Sequence, residues 1–260
     1  MILGIGLLIT VFVSFQVKQS LDETAVSRFA FSCDQVSLEI QERLGTYEQI
    51  LRGGDALFSA SHSVERKEWK DYVESLRAER STLGMQGIGF AQVISADRLA
   101  SHIAGIRGEG LTEYTIHPLT EHAVYAPITY FELIHDNDND LSLLGFDMYS
   151  EPIRRAAMDQ SRDTGEAVLS GKVGLAQKNG TVIEAGVLMY IPVYHHGVPV
   201  DTTEQRRTAL SGWVFSAYSM NELIANIMAD WVSHDGKTVD LTVYDGSEAV
   251  PANLLSLIHI

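Results

Sequence analysis

One cysteine, Cys33, stands in 260 residues, and a single thiol can build neither an internal disulfide nor a multi-cysteine metal site. A basic surplus is also missing: 19 Lys and Arg face 34 Asp and Glu, for a formal net charge of −15. Binding a phosphate backbone needs clustered cations, so a nucleic-acid surface is excluded. Catalytic signatures are absent as well. There is no Gly-x-Ser-x-Gly elbow and no His-Glu-x-x-His, and the glycines of GIRGEG (105–110) and MQGIGF (85–90) lack the Lys and Ser/Thr of a phosphate loop. HDNDND (135–140) alternates acids as a calcium loop does. Counted from Asp136, however, the sixth position is Leu141 rather than Gly and the twelfth is Asp147 rather than Glu, so it reads as a solvated loop. His195 and His196 are neighbours on an expected strand, face opposite ways and have no third ligand at a useful spacing. No residue pattern points to an enzyme, a metal or a cofactor.

Long apolar runs are scarce too, with one exception. ILGIGLLITVFVSFQV (2–17) is sixteen uncharged residues ended by Lys18, at the short edge of a membrane span. No basic n-region precedes it and no Ala-x-Ala site follows, which favours an anchor over a cleaved signal. The expectation is a transmembrane helix over 1–18, open to truncation at its start. Next, Leu21, Val26, Phe29, Cys33, Val36, Ile40, Leu44, Tyr47 and Leu51 recur at spacings of mostly three and four. That places them on one face of a long stalk helix over 19–60, with Cys33 as a small buried hydrophobe. At the other end LSLIHI (255–260) follows AVPANL with no turn or cap logic, and CTG TCT CTT ATA CAC ATC, the end of a common sequencing transposon, encodes it. It is expected to be an adaptor scar, which would make the chain a fragment; a genuine apolar tail is the rival.

With 45% hydrophobic residues, the chain between these ends has enough apolar material for a sizeable core. A helix is expected over 64–80 capped by Ser63, a strand over 88–94, a helix over 96–106, and strands in EYTIHP and AVYAPITYFEL. A second unit is expected from Gly145: a helix over 150–163, strands near 167–169, 173–177, 186–194 and 211–218, a helix with Ser219 and Glu222 as capping box, and a strand over 239–245. The order suggests an α+β fold with a mixed sheet. In GFDMYSEPIRRAAMDQSRDTGEAVLSG (145–171), Ser150, Glu151 and Pro152 read as a helix start and Thr164-Gly165 as its stop. Asp147, Arg154 and Arg155 are left as candidates for a buried ion pair or a ligand contact.

That segment, continued to Gln177, resembles the signature of the CHASE domain, the extracytoplasmic sensor of many membrane histidine kinases and nucleotide cyclases. GIGFAQVISADRLASHIAGIRGEGLTEYTIHP (87–118) and YAPITYFE (125–132) are similar to the family's earlier block. LMYIPVY (188–194), LSGWVFSAY (210–218) and VDLTVYD (239–245) are similar to its later strands. The resemblance covers about residues 45–250. It implies a stalk helix followed by two PAS-like modules, a membrane-distal one over 61–144 and a membrane-proximal one over 145–250. It further implies a homodimer through the stalk, a sensor domain outside the inner membrane, and an enzymatic output that this chain does not contain. In plant cytokinin receptors the ligand is an adenine-type hormone held by an acid near the position of Glu132, an apolar residue at Leu169 and a Thr near Gln177. Phe90, Tyr130, Val173, Leu175, Leu188 and Tyr190 are expected in or near the same pocket, with core packing as the rival for each. A spacer with no ligand and a secreted small-molecule-binding protein are the competing functions.

Overall fold

The computed structural model describes residues 2–61, 63–77, 84–134, 141–176, 182–226 and 240–259. The chain divides into two compact units, Met1–Leu44 and Gly45–Ile260. Helix α1 (Ile2–Ala60) runs from the first into the second. The described residues of Met1–Leu44 form α1 alone, and Leu21, Val26, Phe29 and Cys33 are all exposed. The expectation of a buried Cys33 is thereby corrected: its place on the apolar stripe is real, but Val36, Ile40 and Leu44 of that stripe are half-buried and only Tyr47 and Leu51 are fully so. Among the described residues no helix is long and apolar enough to cross a membrane. The side chains at 1–11, where most of the expected span falls, lie outside the described residues.

The second unit is α+β, built on a six-stranded sheet. After α2 (Arg66–Leu76) come β1 (Met85–Gln92), β2 (Ile94–Ser95), α3 (Leu99–Gly108), β3 (Val124–Tyr125) and β4 (Ile128–Leu133). Then follow α4 (Pro152–Thr164), β5 (Val168–Leu169), β6 (Val173–Ala176), β7 (Val182–Tyr194), α5 (Thr203–Ala209) and β8 (Leu210–Ser219). The sheet order is β4-β1-β8-β7-β5, with β6 also pairing β7, and every pairing is antiparallel. The mixed sheet expected from the element order is thus replaced by an antiparallel one. Strands from both sides of the expected boundary at 145 share this sheet, since β1 pairs with β4 from before it and with β8 from after it. EYTIHP, expected as a strand, contributes only a bridge from His117 to Phe146.

Alternation along β1 decides what each face carries. Ile88 and Phe90 point to one side, which the end of α1 and α2 cover. Phe58 stacks on Phe90 with ring centroids 4.0 Å apart, and Tyr47 stacks on Tyr218 of β8 at 4.6 Å. Trp69 of α2 completes this layer, 6.1 Å from the Tyr130 ring. Gly87, Gly89 and Ala91 point to the other side. There Tyr190, Trp213 and Phe215 join Tyr114, Ile116, Met148, Tyr149 and Met158 in a continuous buried cluster. Gly89 has no room for a side chain, since a Cβ there would lie 2.7 Å from Cζ of Phe215 and 2.6 Å from the Tyr130 carbonyl oxygen. The sheet therefore separates two cores, each with its own helical cover.

Local sequence explains the ends of the elements. The N-cap of α2 is Glu65 rather than Ser63, in a reciprocal box with Glu68. The N-cap of α4 is Glu151, whose carboxylate accepts from the N–H groups of Ile153 and Arg154, with Pro152 at the first helical position. Ser150, expected in that role, donates instead to the Asp147 carbonyl. Gly165 ends the helix in the left-handed conformation at φ 80°, as the Thr-Gly stop suggests. Beyond the main sheet, β9 (Asp240–Tyr244) pairs antiparallel with β10 (Leu254–His259). Of the residues expected to be adaptor-encoded, 255–259 thus run as a strand, which their apolar character supports whatever their origin.

Candidate functional site

The expected ligand residues divide between the two faces. Phe90, Tyr130 and Glu132 belong to the face under α1 and α2. The Tyr130 hydroxyl donates to the Val64 carbonyl at 2.7 Å, and its ring carries the Arg66 guanidinium 5.0 Å above it. That guanidinium also donates to the Thr129 carbonyl at 2.9 Å and pairs with Glu109 at 2.8 Å. Glu132 is buried, and its Oε2 has no hydrogen-bond partner among the described residues. Burial raises its pKa, while Lys70 and Arg77 draw it partly back. Leu188, Tyr190 and Val173 lie in the opposite core, with Leu175 packed against it. Leu169, on the edge strand β5, is 38% exposed, and it is its neighbour Val168 that turns inward. Gln177 lies outside the described residues, as does the HDNDND loop.

Among the described residues, buried polar atoms without a partner occur on both faces, Glu132 on the first and Arg154 on the second. The second core is taken as the candidate site because there two donors, Arg154 and Tyr190, meet at one thioether. Its anchor is Asp147, fully buried where the sequence turns from GF into the helix. Its Oδ1 accepts from the Ala126 N–H at 2.8 Å and from the Tyr149 N–H at 3.1 Å, clamping the approach to β4 against a short 3-10 turn, Met148–Ser150. Gly145 makes the clamp possible. It has φ 85°, its N–H donates to Ile128 and its carbonyl accepts from His117, and a Cβ there would sit 1.9 Å from the Thr115 carbonyl oxygen. No ion pair joins Asp147 to Arg154 or Arg155 among the described residues. The residue framed as a charge candidate is a backbone clip.

Arg154 lies across the first turn of α4. Its guanidinium sits 4.9 Å over the Phe146 ring, and its Nη2 donates to the Gly174 carbonyl at 3.1 Å. Its Nη1 reaches only the Met148 thioether at 3.9 Å, and its Nε is buried without a partner. The Tyr190 hydroxyl, fully buried, also reaches that sulfur at 3.9 Å. Burial drives the Tyr190 pKa far above its ordinary value, with Arg154 opposing. Around this spot the wall is aromatic, with Phe215 6.1 Å from Tyr190 and Phe131 stacked at 6.2 Å on Phe215. Phe131, Phe215 and Met148 were not among the sequence candidates. Alternation in ITYFEL does place Phe131 opposite Tyr130 and Glu132, and that is the signal that finds it.

Comparison with known proteins bears on these features together. The model of the CHASE domain family matches residues 62–256. Probable histidine kinase 6 of Oryza sativa subsp. japonica is 22% identical over 245 residues, which are 92% of this chain and 24% of that protein. Hybrid signal transduction histidine kinase A of Dictyostelium discoideum is 29% identical over 128 residues, 46% of this chain and 6% of that protein. The chain spans a quarter or less of the length of these curated relatives.

Proposed function

Because the chain belongs to the CHASE domain family, we propose that it is the extracytoplasmic sensing part of a membrane-bound signal-transduction receptor, non-catalytic in itself. A small molecule enters the core behind Tyr190 and Phe215, and the sheet hands the change to α1. The output, a histidine kinase or a nucleotide cyclase, is carried by another part of the receptor. The observation that carries this reading is the double-sided sheet. On one face Arg154 and Tyr190 meet at the Met148 thioether, and the other is stacked directly on α1 through Phe90–Phe58 and Tyr218–Tyr47. Rearrangement on the first face is thereby felt at the helix, and only a ligand with different affinities for two arrangements can drive it. In the finer version the boundary moves from the expected 145 to beyond β8, so that the six-stranded sheet is one PAS-like module and the β9–β10 ladder belongs to a second. The stalk pairs with that of a second copy, and the anchor places the domain outside the inner membrane.

The reading is tested by thermal shift of the 260-residue chain in detergent against purines and common metabolites. A dose-dependent rise in Tm with at least one compound is expected, and a flat response to all of them would favour the spacer. One observation supports that second reading: in this structure Tyr190, Phe215 and Phe131 themselves fill the core that a ligand would enter. A secreted binding protein has no comparable observation in its favour.

A further inference from the structure

We infer that Arg154, Tyr190 and Met148 form a partly buried subsite for a small monocarboxylate, in which the Met148 thioether occupies the carboxylate's place. The inference rests on the sensor reading and names the chemistry of its ligand. Two strong donors, a guanidinium nitrogen and a buried phenol, converge on one sulfur at 3.9 Å each. A thioether is a weak acceptor, so both donors are nearly unsatisfied. The Nε of the same guanidinium is buried with no acceptor among the described residues. Buried donors left in this state are costly, and an anion that meets them recovers that loss.

Charge points the same way. Arg154 forms no ion pair among the described residues. Glu151, the acid nearest to it in sequence, is committed to capping the N–H groups of Ile153 and Arg154 at 3.1 and 2.9 Å. The Phe146 ring lies under the guanidinium plane, so acceptors are admitted at its edges, where a carboxylate fits. One cation matches one negative charge, whereas a phosphate dianion would remain half neutralised. Methionine is an apt placeholder, because its unbranched chain can swing aside without rebuilding the core. The aromatic wall of Phe215 and Phe131 would take a short apolar tail.

The experiment is calorimetric titration of the 260-residue chain in detergent with acetate, propionate, butyrate and pyruvate. Each is set against its neutral amide and against inorganic phosphate. At least one carboxylate should bind, with its amide at least tenfold weaker. Arg154→Gln should weaken that carboxylate at least tenfold, and Tyr190→Phe severalfold. Arg154→Lys, which keeps the charge and loses the planar fork, should fall between, with circular dichroism verifying that each variant is folded. Carboxylate binding unchanged in folded Arg154→Gln, a preference for phosphate, or no carboxylate binding up to millimolar concentration would each overturn the subsite. If a purine or a neutral compound raises the Tm while carboxylates do nothing, the subsite fails and the sensor reading stands; if nothing binds at all, both fail.

Discussion

At the scale of single residues, two buried acids have opposite duties. Asp147 satisfies two backbone donors that water cannot reach, and removing it orphans both. Asp147→Ala should lose about 2–4 kcal/mol in urea unfolding, at roughly 1–3 kcal/mol for each buried group left unpaired. Asp147→Asn keeps an oxygen in the same place and should lose clearly less. Equal losses for the two variants would mean that the clip is not what Asp147 supplies. Glu132 carries its charge into a site that disfavours it, so its pKa is raised above the ordinary 4.5. A raised folded-state pKa makes its contribution fullest below that ordinary value, and stability is lost as pH rises through the shifted one. Glu132→Gln should accordingly unfold at a higher temperature than the parent at neutral pH, the two curves meeting near pH 4. A constant gap at all pH values would contradict this. The spacing of the sequence places Glu132 beside Tyr130, but not which helices would close over it.

At the scale of elements, the strands were legible because β1, β7 and β8 are rich in apolar, aromatic and β-branched residues and are bounded by polar turns. The helix α4 was legible from its proline and its glycine. What escaped was the cap, where Ser150 and Glu151 are both suitable and the choice is made by geometry. With the Ser150 hydroxyl committed to Asp147, Glu151 is the residue that reaches the free N–H groups. The sides of the pocket escaped for a similar reason. The register between Phe90 and Tyr130, and the irregularity that follows at Ala91, depend on pairing over a separation of forty residues. The joint at Gly145 is the most constrained place between elements. Gly145→Ala adds a methyl group to a left-handed backbone already against the Thr115 carbonyl, and should cost about 3 kcal/mol or more. A loss below about 1 kcal/mol, read from urea midpoints, would mean that the loop relaxes freely. At the end of α4, Asp163 holds Arg162 at 2.7 Å and Arg207 at 2.6 Å, an exposed tie to α5 that salt will weaken.

At the scale of the whole molecule, the sequence shows an apolar stripe on α1, and the structure covers only its end. Tyr47 and Leu51 are sealed under the sheet, while Phe29 is 66% exposed. If the proposed pairing with a second copy uses this stripe, Phe29→Asp with Val36→Asp should abolish ligand-driven output of the full-length receptor while leaving the Tm of the sheet unit unchanged. Intact output would sink transmission along this face. A second unit from Gly145 was read from element order, because each half supplied strands and helices in turn. Sequence patterns record the strands but not their neighbours, and here the first strand waits for the eighth.

That last pairing governs how the protein must come into being. The inner strand β1 is synthesised early, yet β8, its neighbour on one side, begins at Leu210, some 120 residues later. Until that segment arrives, β1 has an open edge, and Trp213 and Phe215 are missing from the core. Closing so long a loop is slow, because its entropy must be spent before any distant contact repays it. The nascent chain must therefore be kept from pairing with other open edges, so its rate of production depends on what shields it during synthesis as well as on its final stability.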